Sequence, residues 1–290
     1  MDDVGVRRAK RLVARTFSLT GVSSALLRAQ SLVPRGYVRV VNYHGTPPEH
    51  AARFEAQVAW LAAHFAPVTE AALDDFFRTG RWGAPKPGII VSFDDGLRSN
   101  YAVAAPTLER HGLVGWFFVP VGFIDTPPEA QRAFAEARQV QVDHAWPDGR
   151  LAMSWDELRA LSRRHVIGSH TRSHLRLGSE VAPAALEDEI VRTRDDLAAH
   201  LGKPANAFCW VGGEESSYSA EAARVVRRAG YRYAFMTNNA PIVASTDPLQ
   251  LQRTNLEASW SLDVLRFQLS GVMDAAYAPK RERVNRLTAR

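Results

Sequence analysis

Two adjacent carboxylates, Asp94 and Asp95, come directly after the apolar run 89–93 and are followed by Gly96. Two acids at the end of a buried strand repel each other and lose hydration, unless a cation or hydrogen bonds offset the cost. The alternative interpretation is a turn in which an aspartate caps the next helix. The pair therefore predicts a site for a cation and for proton transfer, provided that further ligands lie nearby.

Two histidines, His170 and His174, follow the short apolar run 166–169. Rings at positions i and i+4 can face one point when the backbone coils after a strand, as a metal site requires. A single histidine in this place would more often be structural. Two histidines and one aspartate form a ligand set that leaves positions open for water and substrate. Such open coordination is typical of catalysis, because the cation lowers the pKa of bound water and polarises a carbonyl.

The elements that must position these residues alternate between short apolar runs and amphipathic helices from Tyr37 onward, which is typical of βα units around a parallel sheet. The predicted strands are 38–43, 89–93, 116–119, 166–169, 208–210, 231–236 and 249–252. The main predicted helices are 54–65, one that begins at Ser154 with a capping box, 183–201, 219–229 and 262–269. Residues 123–153 are less regular and are predicted to cross one end of the barrel. About seven such units favour a closed or nearly closed α/β barrel, in which catalytic groups collect at the C-terminal ends of the strands.

The predicted domain organisation is one catalytic domain, residues 37–275, between a basic helical extension, residues 1–36, and a basic tail, residues 276–290. The net charge of the chain is +5, of which residues 1–39 carry +6, residues 280–290 carry +4 and the rest −5. A nucleic-acid groove would place basic residues in the folded body. The charge distribution therefore argues against nucleic-acid binding.

The N-terminal extension contains a predicted amphipathic helix over residues 6–17. Val6, Ala9, Val13 and Phe17 share one face, and arginines lie largely on the opposite face. One interpretation is a helix that caps the domain with a solvated basic face. The other is a peripheral contact with an anionic membrane surface.

Cys209 is the single cysteine and lies in an apolar stretch, so we expect a buried, inert thiol and no intramolecular disulfide. No run approaches the roughly 18 apolar residues of a spanning helix, and the N-terminus lacks an uninterrupted signal-peptide core. We therefore expect a cytoplasmic protein, with membrane association through the N-terminal helix as the alternative.

Two motifs carry a resemblance to a known family. Residues 92–96, Ser-Phe-Asp-Asp-Gly, and residues 170–174, His-Thr-Arg-Ser-His, resemble the first two motifs of the polysaccharide deacetylase (NodB-like, carbohydrate esterase 4) family. The resemblance extends in order and spacing from about Val38 to Gly271. It implies a single-domain, distorted (β/α)7-type barrel and a divalent metal, most often Zn²⁺, with Co²⁺, Ni²⁺ or Fe²⁺ as alternatives.

The resemblance also implies roles for individual residues. The residue matching Asp94 is the general base, and the residue matching Asp95 binds the metal together with His170 and His174. His44, within the sequence Asn-Tyr-His-Gly, is similar to a motif of the circularly permuted branch of the family, which includes poly-N-acetylglucosamine deacetylases. There the histidine is the general acid, a role that suits an imidazole near neutral pH. A surface histidine in a turn is the alternative.

Two motifs depart from the family pattern. Residues 208–213, Phe-Cys-Trp-Val-Gly-Gly, replace an Arg-x-Pro-Tyr motif, so the arginine that would orient Asp94 is missing from its usual place. No Leu-x-Leu-x-His motif occurs near the C-terminus, and residues 249–255 contain no histidine. The replacement at residues 208–213 also implies a different wall of the substrate groove around Trp210. Trp210, Tyr218 and Trp260 are the candidate sugar-stacking groups, and a place in the core or rim is the alternative for each.

The predicted function is a metal-dependent hydrolase that removes N-acetyl groups from an N-acetylated sugar in glycan or polysaccharide biosynthesis. A lipid-linked sugar would suit the basic N-terminal helix. A second interpretation is an amidohydrolase acting on a formamido, ureido or other non-glycan amide. A third is a carbohydrate-binding pseudoenzyme, which the missing arginine prompts.

Overall fold

The strands form one parallel sheet that curves into a nearly closed barrel. The computed structural model describes residues 12–30 and 32–289. The strands are β1 (Val38–Tyr43), β2 (Ala66–Pro67), β3 (Gly88–Phe93), β4 (Gly115–Val119), β5 (Val166–Ser169), β6 (Ala207–Cys209), β7 (Tyr233–Met236), β8 (Leu251–Gln252) and β9 (Thr254–Asn255). Their order is β8-β7-β6-β5-β4-β3-β1-β9, with β2 paired to β3, and every pairing between them is parallel.

The barrel is closed by one short chain segment that is split in two. β8 pairs with β7 and β9 pairs with β1, and Arg253 alone separates β8 from β9. Counted as one strand, this segment completes seven strands around the barrel, besides the short β2. The predicted distorted (β/α)7 barrel is confirmed, and β2 is a strand that the sequence pattern did not indicate.

The helices surround this sheet. They are α1 (residues 12–19), α2 (Val22–Gln30), α3 (Ala51–His64), α4 (Glu70–Thr79), α5 (Ala105–Arg110), α6 (Val121–Asp125), α7 (Pro128–Arg138), α8 (Trp155–Leu161), α9 (Pro183–Leu186), α10 (Thr193–Leu201), α11 (Ala220–Arg228), α12 (Leu262–Leu269) and α13 (Val272–Thr288). π-helical turns lead into α5 and join α9 to α10. None of the helices in the described ranges is both long enough and apolar enough to span a bilayer.

Alternate residues of each strand face opposite sides of the sheet. Val40 of β1 and Ile90 of β3 belong to a cluster with Trp116 and Phe235 from other strands, which fills the barrel. The intervening residues, such as Val41, belong to a second cluster that includes side chains from α3. The same alternation carries polar residues into the barrel near the C-terminal ends of β1 and β3, where the site lies.

The segment that follows β4 is more regular than its sequence indicates. Within the predicted excursion, residues 128–138 form the helix α7. The helix begins at Pro128, and proline is well tolerated at the first helical position because its missing N–H would have no helical partner there. Residues 140–150 do cross the structure without a helix or strand.

Both ends of the described chain are helical and pack on the domain. Residues 6–11 of the predicted N-terminal helix lie outside the described residues. Within α1, Phe17 packs edge-on against Phe267 at 5.2 Å between ring centroids, and Ala14 is fully buried, whereas Val13 is exposed. At the other end, the segment predicted as a basic tail forms most of α13, in which Val284 is buried.

Candidate active site

The base candidate Asp94 lies at the C-terminal end of β3, on the face that points into the barrel. Its backbone N–H donates to the carbonyl of Tyr43, which extends the pairing of β1 with β3. Asn42 has the same facing on β1, and its side-chain amide donates to Asp94 Oδ2 at 3.0 Å. The thiol of Cys209, on β6, lies 3.6 Å from Asp94 Oδ1. Asp94 is 2% exposed, so its charge needs compensation inside the protein.

Arg253 supplies that compensation from the barrel-closing segment. Its guanidinium makes a bidentate pair with Asp94, with Nη1 at 2.7 Å from Oδ1 and Nη2 at 2.8 Å from Oδ2. Nη1 also donates to Asn42 Oδ1 at 2.9 Å. Arg253 is 1% exposed, and two parallel hydrogen bonds fix the plane of the carboxylate as well as its position.

The two carboxylates are held in their charged forms. Burial by itself would raise the pKa of Asp94, but the charges of Arg253 and His170 bring that pKa below its ordinary value. Burial would likewise raise the pKa of Asp95, but its interactions with the facing imidazoles of His170 and His174 hold that pKa well below the ordinary value. Both residues are thus ready to accept a proton or a cation.

Asp95, His170 and His174 converge on one point. Asp95 Oδ1 lies 3.2 Å from His174 Nε2 and 3.6 Å from His170 Nε2. The three ligand atoms all lie within 4.8 Å of one another, and Asp95 Oδ1 is buried without a hydrogen-bond partner. A divalent cation fits this set, because a carboxylate oxygen and two imidazole nitrogens are the ligands of open zinc sites.

The backbone fixes which nitrogen of each imidazole faces Asp95. His170 Nδ1 lies 3.0 Å from the carbonyl oxygen of Cys209, and His174 Nδ1 lies 2.7 Å from that of Arg138. A carbonyl can only accept, so each Nδ1 carries the hydrogen and each Nε2 presents a lone pair when the ring is neutral. Metal-binding histidines are oriented in this way in many proteins.

Unusual backbone geometry accompanies these ligands. Six described residues other than glycine have positive φ, and three of them are Asp95 at 70°, Thr171 at 63° and His174 at 58°. This conformation costs L-residues roughly 1–2 kcal/mol each. Its concentration in the two motifs is typical of a functional site, where surrounding contacts hold the strained backbone.

His44 lies on the rim of the same site. It follows β1, is exposed, and lines a cavity of about 350 Å³ together with Asp94, Asp95, His170 and His174. The structure therefore brings together all five residues that the sequence analysis predicted for catalysis and metal binding. The loop that carries His44 is tightly packed behind, because a Cβ added to the next residue, Gly45, would lie 2.5 Å from Cβ of Asp143.

The three aromatic candidates occupy different places. Trp210 borders the cavity but is 2% exposed, with its ring packed 5.2 Å from that of Tyr218. Tyr218 is also 2% exposed and does not line the cavity, so its predicted stacking role has no accessible ring face. Trp260 lines a neighbouring cavity of about 400 Å³, which shares His44 and Asn255 with the first.

Sequence reasoning missed Arg253 and Asn42. The absence of an arginine from residues 208–213 left the orientation of Asp94 open, and the structure supplies an arginine from the segment between β8 and β9 instead. No local signal marked Arg253, because residues 249–255 mix leucines with polar residues and an arginine there could equally face solvent. α13, from outside the predicted domain, adds Tyr277 and Lys280 to the cavity lining.

Comparison with known proteins agrees with this architecture. A family model described as polysaccharide deacetylase matches residues 83–234. The chain is 26% identical over 160 residues to poly-beta-1,6-N-acetyl-D-glucosamine N-deacetylase of Escherichia coli K12; the match covers 51% of this chain and 22% of that protein. The chain thus spans about a fifth of the length of that curated relative.

Solved structures share the fold. The deacetylase PplD of Streptococcus pyogenes in complex with acetate has a TM-score of 0.64 at 17% identity, covering 80% of this chain and 98% of PplD. IcaB of Ammonifex degensii has a TM-score of 0.57 at 21% identity, covering 82% of this chain and 97% of IcaB. Because the family model spans more than half of the sequence, this chain belongs to the polysaccharide deacetylase family.

Proposed function

We propose that this protein is a divalent-metal hydrolase that removes the N-acetyl group from an N-acetylated sugar of a glycan. The observation that carries the proposal is the buried cluster of Asp95, His170 and His174 beside a base candidate, Asp94, fixed by Arg253. Membership of the polysaccharide deacetylase family supports the reaction. The name of the matched Escherichia coli protein supports an N-acetylglucosamine polymer as the substrate class.

Asp95, His170 and His174 would hold the cation, with Zn²⁺ favoured by the ligand types and Co²⁺, Ni²⁺ or Fe²⁺ as alternatives. When bound, the cation lowers the pKa of a water molecule and polarises the amide carbonyl. The pKa of His174 lies above its ordinary value, because the carboxylate of Asp95 outweighs the opposing effect of burial. Protons therefore compete with the cation at this ligand, and we expect metal affinity to fall as the pH is lowered.

Asp94 and His44 would move the protons of hydrolysis. Asp94 accepts a proton as water attacks the carbonyl carbon of the acetamide, while Arg253 keeps the carboxylate charged and in plane. His44 donates a proton to the sugar nitrogen as the C–N bond breaks, so that acetate and a free amine leave. The exposure of His44 suits contact with a bound substrate. Asp94 and Arg253 are buried and hold each other in place.

The position of Arg253 weakens the case for a pseudoenzyme. That alternative depended on the absence of an arginine that orients the base, and Arg253 makes a bidentate contact with Asp94 from the segment between β8 and β9. An amidohydrolase of non-glycan amides would use the same residues, so the substrate survey below has to distinguish the two activities.

The test couples metal analysis with acetate release from N-acetylated oligosaccharides, small amides and formamido compounds. We expect about one equivalent of metal and release of acetate from the oligosaccharides. Asp94→Asn keeps the shape of the side chain and should lower turnover roughly 10²–10⁴-fold while metal content is unchanged. The control is Asp75→Asn, a 66% exposed carboxylate on α4, which should leave turnover unchanged.

Two outcomes would contradict the proposal. Substantial turnover by Asp94→Asn, with Asp75→Asn unaffected, would remove Asp94 as the base. Activity confined to small amides would replace the glycan with a different substrate.

A further inference from the structure

The N-terminal helices α1 and α2 expose an unusual share of apolar side chains. Seven large hydrophobic residues are exposed among the described residues, and five of them lie within residues 12–32. They include Leu12, which is 68% exposed, and Leu19, which is 78% exposed. Solvent-exposed leucines are ordinary when scattered, but a concentration in one short segment is typical of an interaction surface.

Helix geometry shows that α1 has two apolar faces. Successive residues are turned by about 100°, so Leu12 and Leu19, seven residues apart, point in nearly the same direction. Ala14 points about 200° away from Leu12 and is buried, packed in one cluster with Val264 and Phe267 of α12. The inner face thus anchors α1 to the barrel, and the outer face carries leucines that no described residue covers.

A further exposed apolar residue follows at the start of α2. The turn between the helices consists of Thr20 and Gly21, and Val22, the first residue of α2, is 39% exposed. We call Leu12, Val13, Leu19 and Val22 the N-terminal apolar surface.

Positive charge surrounds this surface. Arg15 and Arg28 are exposed on α1 and α2, and no acidic residue occurs in the sequence between Asp3 and Glu49. Four further basic residues, Arg7, Arg8, Lys10 and Arg11, precede α1 and lie outside the described residues. Exposed leucines in a segment whose charged residues are all basic are typical of helices that lie in the interface of anionic membranes.

A cavity beside α2 also combines apolar and aromatic side chains with basic ones. It has a volume of about 310 Å³ and lies between α2, α3 and α12, with Leu27, Arg28, Trp60, His64 and Arg266 in its lining. The guanidinium of Arg266 lies 5.8 Å from the ring centroid of Trp60. Aromatic walls with cationic side chains suit the phosphate and glycerol region of a lipid.

We propose that the N-terminal apolar surface docks the protein on the face of an anionic lipid bilayer. The outer leucines enter the boundary between headgroups and acyl chains, and the arginines contact lipid phosphates. Docking of this kind is independent of the catalytic residues, so it holds or fails separately from the proposed deacetylase activity.

The experiment measures sedimentation of the full chain with vesicles of phosphatidylcholine alone, or with phosphatidylglycerol as about one lipid in three. We expect binding to the anionic vesicles, weakened by salt. Leu12→Gln combined with Leu19→Gln should lower the partition coefficient about 100-fold, and Arg15→Gln about fivefold. The matched control is Leu287→Gln, a 40% exposed leucine on α13, which should bind as the parent does.

Three results would overturn the proposal. The first is no sedimentation with anionic vesicles. The second is an equal loss of binding in Leu287→Gln and in the Leu12/Leu19 variant, with both variants folded by circular dichroism. The third is a dimer by light scattering that the Leu12/Leu19 substitutions dissociate and that does not bind vesicles, because the surface would then serve a second copy of the chain.

Discussion

Removal of Arg253 should destabilise the protein strongly, because it leaves a buried carboxylate without its partner. The side chains of Arg253 and Asp94 are 1% and 3% exposed, and their two hydrogen bonds are 2.7 and 2.8 Å long. Breaking a buried pair by removing one member typically costs roughly 3–5 kcal/mol. We expect Arg253→Met to lower the free energy of unfolding by that amount in urea titrations with chelator present, which keeps metal binding out of the comparison.

A double-mutant cycle isolates the pair itself. Asp94→Asn combined with Arg253→Met removes both charges and should cost less than the sum of the two single changes, with a coupling energy of roughly 2–3 kcal/mol. Arg232→Met is the control, since Arg232 pairs with Asp74 at the surface, where the side chains are 49% and 30% exposed. Arg232→Met should lower the free energy of unfolding by less than about 1 kcal/mol. Two results would refute the reasoning. One is that the effects of Asp94→Asn and Arg253→Met on the free energy of unfolding simply add, and the other is that Arg253→Met and Arg232→Met lower this free energy equally.

The pair also gives the stability a defined pH dependence. Burial would raise the pKa of Asp94, but Arg253 and His170 lower it overall beneath the ordinary value of 3.8. The folded-state pKa is the lower one, so the stabilisation is present above the ordinary value and is lost as the pH falls through the folded-state value. In Arg253→Met the charge that opposed the effect of burial is gone, so the pKa of Asp94 rises. We therefore expect the difference in free energy of unfolding between the parent and this variant to be smaller when the urea titration is repeated at acidic pH.

Three further outcomes are expected. His44→Gln should lower kcat for acetate release about 100-fold without changing metal content by elemental analysis, and unchanged kcat would exclude it as the acid. His174→Ala should abolish the rise in Tm on addition of Zn²⁺, which the parent should show because the cation binds the folded state; the same rise in the variant would place the metal elsewhere. Gly45→Ala should lower the free energy of unfolding, measured in urea, by roughly 1–3 kcal/mol, because the new Cβ would lie 2.5 Å from Cβ of Asp143. An unchanged free energy of unfolding would mean that this loop can move to make room for the methyl group.

The barrel and the positions of the candidate metal ligands could be predicted from the sequence because both depend on local patterns. β1 begins and ends where the apolar run predicts, and the ligands follow directly after β3 and β5. Position relative to a strand end is enough to bring such residues to one mouth of a barrel. Their identity as general base and metal ligands remains a prediction based on the resemblance to the family.

Arg253 could not be predicted in the same way, because its partner Asp94 lies 159 positions away in the sequence. Nothing local distinguishes an arginine that enters a barrel from one that faces solvent at the same position of a short strand. For Trp210 and Tyr218 the sequence left two alternatives open, a sugar-stacking group or a place in the core or rim, for a related reason. An aromatic side chain in a loop has the same sequence pattern whether its ring packs inward or lines a groove.

The split closing segment has a consequence for how the protein is made. β9 pairs with β1, which lies more than 200 residues earlier, and the same segment brings Arg253 to Asp94. During synthesis the chain therefore has to emerge beyond residue 255 before the barrel can close and before Arg253 can reach Asp94. Contacts of such long sequence separation form late in folding, since the closure entropy of the intervening chain opposes them. A nascent or truncated chain that already holds both candidate metal-binding motifs would still lack the arginine that fixes Asp94, so the proposed activity should appear last, together with the closed barrel.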